Sequence, residues 1–158
     1  MQEMTQFSIF LVNKPGVLAA VTNELTRARV NMIALTLMDS MEHGVLRVVC
    51  DKADVARDVL GRTHDRWTET DVLVLELKNE PGAFASVAQL LADKHINIAY
   101  AYATAGASHG RTTAVFKVAD MKKAQKVLEA SKARSTGKTR KAKKADKTVR
   151  KPPPSHRR

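Results

Sequence analysis

The chain has 158 residues, 44% apolar and only 4% aromatic, so its core must be aliphatic, built from Leu, Val, Ile, Ala and Met. No apolar run reaches the roughly eighteen residues of a membrane span, and a lone cysteine, Cys50, excludes a disulfide framework. The formal charge of +11 is local: of 27 Lys and Arg and 16 acids, residues 132–158 hold twelve and one, leaving fifteen of each sign in residues 1–131.

Phe7–Val12 is short, branched and apolar, and reads as a strand. Asn13-Lys14-Pro15-Gly16 punctuates, with Pro15 suited to the first turn of a helix, where a missing N–H costs nothing. Val17, Leu18, Val21, Leu25 and Ala28 then recur at intervals of three and four, one face of an amphipathic helix. Asn31–Met38 reads as a strand that is apolar on both faces: Met32, Ala34 and Met38 on one, Ile33, Leu35 and Leu37 on the other. A half-solvated strand alternates with polar residues, so a sister module or another chain is expected over its open face or edge. A turn at Glu42-His43-Gly44 leads into the strand Val45–Cys50, where apolar neighbours place the thiol in the interior. A helix near Ala53–Leu60 and a strand around Arg66–Thr70 complete the unit.

The unit then repeats. At an offset of 66 residues, Asn13-Lys14-Pro15-Gly16-Val17-Leu18 falls on Asn79-Glu80-Pro81-Gly82-Ala83-Phe84. Val21 falls on Val87, Leu25 on Leu91, Asn31 on Asn97, Ile33 on Ala99 and Gly44 on Gly110, after which the match slips by one or two residues. The second copy reads as a strand at Val72–Leu77, a helix through Phe84, Val87, Leu90, Leu91 and His95 or Ile96, strands at Asn97–Ala103 and Thr112–Val118, and a helix at Met121–Ala130. Trp67 is expected to pack at the junction of the copies. After Ser131 no apolar stretch can supply a fourth strand, which is missing, weak or donated by another segment.

The order strand–helix–strand–strand–helix–strand is the split arrangement of ferredoxin-like folds. It predicts an α+β protein of two βαββαβ modules, over residues 1–70 and 71–131, with antiparallel sheets and helices on one face. The tail, 132–158, has no large apolar residue except Val149 and cannot bury enough surface to offset its ordering entropy, so disorder is expected there.

Chemistry points to Asn-X-Pro-Gly between strand and helix, with a second Asn eighteen residues on, in both copies. A helix N-terminus offers unpaired N–H groups and a positive dipole end to a carboxylate. Glycine lets the backbone approach closely, and asparagine offers an acceptor to an ammonium and donors besides. Asn31 begins the strand beside the first, which on this reading lets it lie near Asn13, a clamp for a zwitterion. A simpler role for each loop, a capping and turning device, needs no ligand.

Both copies, over roughly residues 7–130, resemble ACT domains, regulatory amino-acid-binding modules in which ligands sit at interfaces between modules. The resemblance implies one site at Asn13, Lys14, Pro15, Gly16, Val17 and Leu18, with Asn31, Met32 and Ile33 opposite. It implies a second at Asn79, Glu80, Pro81, Gly82, Ala83 and Phe84, with Asn97, Ile98 and Ala99. Phe84 in place of Leu18, and the absent last strand, set the second site apart. The implied protein is a cytoplasmic, non-enzymatic amino-acid sensor, a homodimer without cofactor, metal or membrane partner.

Nothing else in the sequence competes as a catalytic site. His43 and His109 precede hairpin glycines and read as turn residues. His64, His95 and His156 form no metal spacing with Cys50 or a carboxylate. RNA recognition by the sheet needs exposed aromatics on the third strands, where Val45, Arg47, Val49, Thr113, Val115 and Lys117 stand with Phe116 alone aromatic. The rival reading makes the modules a dimerisation scaffold and the basic tail the working part, drawn to nucleic acid or another acidic partner.

Overall fold

A computed structural model describes residues 1–38, 43–64, 66–107 and 110–131. The expected disorder of residues 132–158, the turn role of His109 and most of the turn before His43 fall outside them. The elements are β1 (Gln2–Val12), α1 (Val17–Arg27), β2 (Met32–Met38), β3 (His43–Cys50), α2 (Ala53–Thr63), β4 (Trp67–Lys78), α3 (Ala83–Ala92), β5 (Ile98–Ala107) and β6 (Arg111–Val118), followed by α4 over residues 121–131. No helix among the described residues is long and apolar enough to cross a membrane.

The six strands form one sheet in the order β2-β3-β1-β4-β6-β5, all neighbours antiparallel. Each half follows the βαββαβ pattern, and the two sheets are fused side by side through β1 and β4. The strands expected at Arg66–Thr70 and Val72–Leu77 are one continuous β4, so the boundary between residues 70 and 71 lies inside a strand.

That continuity resolves the fourth strand of the second half. The start of β4 lies beside β1 as the last strand of the first half, with Trp67 opposite Ile9 and Thr70 opposite Gln6. Further along, β4 becomes the first strand of the second half, pairing from Leu73 to Lys78 with β6. The missing strand is the leading end of β1: Gln2, Glu3 and Met4 stand opposite Val74, Leu73 and Val72. Each half lends the other an edge, which leaves neither central strand with an open ladder.

All four helices cover the same face. Phe7, Ile9, Leu11, Leu46, Val48 and Cys50 meet Val21, Leu25, Ala56, Val59 and Leu60 beneath α1 and α2. Leu73, Leu75, Ala114 and Phe116 meet Leu91, Ala124 and Leu128 beneath α3 and α4. Trp67 belongs to the first of these cores, its ring 5.8 Å from that of Phe7.

The helix-free face has a core of its own, in which Ala34, Val49, Val72, Val74 and Val115 pack with Met4, Ile33 and Tyr102. The edge strands β2 and β5 approach each other across it. Part of the two-sided apolarity of β2 is explained in this way, by the sister half. Leu35, Leu37 and Met38 nevertheless stay 43%, 49% and 47% exposed.

Candidate functional site

The Asn-X-Pro-Gly segments are type II turns. Val17 N–H approaches the Lys14 carbonyl at 3.4 Å and Ala83 N–H the Glu80 carbonyl at 3.3 Å. Pro15 and Pro81 take the first corner, and Gly16 (φ 87°) and Gly82 (φ 85°) take the left-handed second corner. This corrects the placement of proline in the first helical turn: each helix starts two residues later, after a glycine cap. No side chain caps either helix. A Cβ on Gly16 or Gly82 would meet nothing within 4 Å, so the glycines answer to backbone conformation and open space lies beside them.

In the first half that space is a cavity of about 240 Å³ lined by Leu11, Val12, Asn13, Lys14, Val17, Leu18, Leu37, Met38 and Gly44. It lies where β1 ends, α1 begins and β2 meets β3. Leu37 faces the helices, opposite Leu46, whereas Met38 turns the other way and its sulfur accepts a hydrogen bond from Arg47 Nη1 at 2.8 Å. Gly44 keeps the floor low, since a Cβ there would stand 3.3 Å from the Met38 carbonyl and 3.4 Å from Leu37 Cδ1.

Four of the expected residues, Asn13, Lys14, Val17 and Leu18, line this cavity, and Pro15 and Gly16 form the turn that joins them. The second asparagine does not join them within one chain. Val12 lies opposite His43 at one end of β3, and Asn31 bonds Asp51 beyond the other end. Seven residue steps of β3 separate these ends, roughly 23 Å at strand spacing. Within one chain, Asn31, Met32 and Ile33 therefore do not face the Asn13–Leu18 turn. The reason is topological: β1 and β2 run parallel, so the end of one adjoins the end, not the start, of the other. The second half repeats this, with Asn79 N–H on the Gly110 carbonyl at 2.6 Å and Asn97 accepting from Ala119 N–H at the far end of β6. Asn97, Ile98 and Ala99 likewise lie away from the turn. The lining residues that sequence reasoning missed, Leu11, Val12, Leu37, Met38 and Gly44, come from strands that only the sheet brings beside the turn.

At the second turn, Ala83 and Phe84 open α3, and the ring of Phe84 is stacked on buried Phe116, centroids 4.9 Å apart. Glu80 lies 3.9 Å from Lys78.

The other candidates resolve into structural roles. Arg29 (φ 55°) and His95 (φ 53°) occupy equivalent left-handed positions ending α1 and α3. There Val30 N–H bonds the Leu25 carbonyl and Ile96 N–H the Leu91 carbonyl, a Schellman closure in both copies. Ile96, not His95, enters the core. Burial, and then Asp51, push the Cys50 thiol up to about 11, which keeps it protonated and a poor nucleophile.

A family described as an ACT domain pair matches residues 2–139. Among solved structures, protein BT0572 from Bacteroides thetaiotaomicron is 32% identical with a TM-score of 0.75, covering 82% of this chain and 89% of that one. The ligand-free regulatory subunit of aspartate kinase from Thermus thermophilus has a TM-score of 0.60 at 14% identity, covering 82% and 97%. The corresponding subunit from Thermus flavus has 0.57 at 16% identity, covering 82% and 90%. These two share the fold. Among curated proteins, none matches the chain.

Proposed function

Since this chain belongs to the ACT-domain family, we propose that it is a regulatory module that binds a free amino acid at the Asn13–Leu18 turn and acts by binding rather than by catalysis. One observation carries the reading: an open cavity adjoins an uncapped helix N-terminus. The α-carboxylate is received by the first amides of α1 and the adjacent Lys14, and the ammonium by the Asn13 side-chain oxygen. Asn31 and Asn97, remote from the turns of their own chain, remain free for a second copy. Phe10, Val12 and Met38, exposed by 43%, 47% and 47%, give that copy an apolar patch beside the β2 edge. A ligand shifts such an assembly only if it binds one state better than the other.

A thermal-shift screen of the twenty amino acids tests the proposal. One or more is expected to raise the melting temperature, and Asn13→Ala to remove the rise; a flat screen overturns it. The twelve cations in residues 132–158 support a second role, salt-sensitive attachment to a polyanion. Deleting the tail is then expected to abolish retention on nucleic acid at low salt.

A further inference from the structure

Resting on that reading, we infer that the ligand is a small carboxylate with an aliphatic side chain, of the branched-chain amino-acid kind, and that each chain holds one such site, in its first half. Both parts follow from comparing the two turns through the sheet register.

The cavity of the first half is apolar where a ligand side chain would lie and positive where its head would lie. Leu11, Val17, Leu18 and Leu37 supply the apolar walls. Leu18 and Leu37 are 37% and 49% exposed, large apolar side chains across one opening that an aliphatic ligand would cover. Among the described residues of the lining, Lys14 is the one charged side chain and none is an acid. The volume equals that of about eight waters, the scale of a single small amino acid. Among the described residues, a charged ligand side chain would face leucines.

The second half keeps apolar side chains at these places but changes their sizes and the sign of the charge. Leu11 pairs with Gly44 as Leu77 pairs with Thr112, so the glycine that lowers the cavity floor is replaced by threonine. Leu37 pairs with Leu46 as Ala103 pairs with Ala114, so two leucines are replaced by alanines. Phe7 pairs with Val48 as Leu73 pairs with Phe116. The aromatic stack of Phe84 on Phe116 lies beneath the start of α3, where the alanines leave room. Glu80 stands where Lys14 does and repels a carboxylate at the helix N-terminus. The second turn keeps the backbone of the first, while the described side chains beneath it differ in size and charge.

Calorimetry on the full chain tests the inference with L-leucine, L-isoleucine, L-valine and L-methionine against L-aspartate, L-lysine and L-serine, and with 4-methyl-2-oxopentanoate as a carboxylate lacking the ammonium. Aliphatic ligands are expected to bind one per chain, at least about tenfold tighter than the charged ones. Leu18→Phe, which puts a ring into the first cavity without the compensating alanines, is expected to abolish binding. Lys14→Glu, at an exposed position that leaves folding intact, is expected to weaken it about tenfold or more. Two equivalents per chain, or unchanged affinity in both variants, overturn the inference. If only polar or charged amino acids bind, the inference falls and the amino-acid reading stands. If only the oxo acid binds, the amino-acid reading falls and the aliphatic carboxylate remains. If nothing binds and Leu37→Asp converts a dimer to monomer in sedimentation, a second copy covers the leucines and both fall.

Discussion

The side-chain amide of Gln6 donates to the Tyr100 hydroxyl at 2.7 Å, joining the strand shared by both halves to the edge strand of the second. Gln6 is fully buried. Its nitrogen also reaches Ser8 Oγ at 3.3 Å, and its oxygen accepts from the Tyr102 hydroxyl at 3.1 Å. Arg47, from the opposite side of the face, lies over the Tyr100 ring at 4.0 Å. The helix-free face is thus pinned by one satisfied polar cluster, and half-satisfied clusters are costly. Gln6→Leu is expected to destabilise the protein by about 1–3 kcal/mol, since it takes a partner from three hydroxyls, those of Ser8, Tyr100 and Tyr102. In chemical denaturation, a double-mutant cycle with Tyr100→Phe should give a coupling above about 0.5 kcal/mol; additivity would show that the contact carries no weight.

The lent strand gives a second prediction. Removing residues 1–5 bares β4 at Asp71–Val74 and takes Met1 from the core under α3 and α4. Hydrogen exchange is expected to quicken in β4 and β6 while α1, α2 and the centre of β3 stay protected. Uniform loss of protection, or none, would contradict the division of labour along β1.

The turn glycine is a conformational requirement, not a packing one. Gly16→Ala has room for its methyl but must hold φ near 87°, at a cost of about 1–2 kcal/mol. Arg29→Gly goes the other way, relieving a left-handed arginine at φ 55°, and is expected to gain up to about 1 kcal/mol. Urea midpoints check both signs.

Arg57 grips Glu69 through two bonds, Nε to Oε1 at 2.7 Å and Nη2 to Oε2 at 2.8 Å, and reaches Asp54 at 2.6 Å. The Arg57 hydrogen bond holds the Glu69 carboxyl below its ordinary 4.5, against a smaller opposing effect of burial. A depressed carboxyl adds stability above its unfolded pKa and loses it as pH falls through the folded one. Stability should therefore decline below pH 4.5, and Glu69→Gln should flatten that part of the curve. The pair is partly exposed, so salt should blunt the effect. An unchanged acid limb in the variant would assign it to other carboxyls.

Cys50, 1% exposed and with its thiol raised to about 11, is expected to resist alkylation near neutral pH. Modification should proceed only through opening of the fold, and its rate should rise with urea in step with unfolding. Rapid labelling of the native chain would show that the strand end is accessible.

The α+β class, the doubled unit and the helix-facing residues were legible in the chain because period and punctuation are local. Val21 and Leu25 lie one turn apart wherever the helix goes, and a Pro-Gly pair sets its own corner. His95 misled for a local reason too: the helical spacing runs through it, but the chain turns left-handed there and buries Ile96 instead.

What depends on neighbours in space was not legible. Strand lending needs β1 and β4 to run long and lie side by side, and nothing in Gln2–Thr5 announces a partner some seventy residues away. The two asparagines are eighteen residues apart in both copies, and spacing alone leaves open which end of a strand each occupies. The parallel course of β1 and β2 separates them and brings Leu37 and Gly44 to the turn instead. Local chemistry made the turns alike; the side chains that the sheet sets beneath each one leave a cavity in the first half and an aromatic stack in the second.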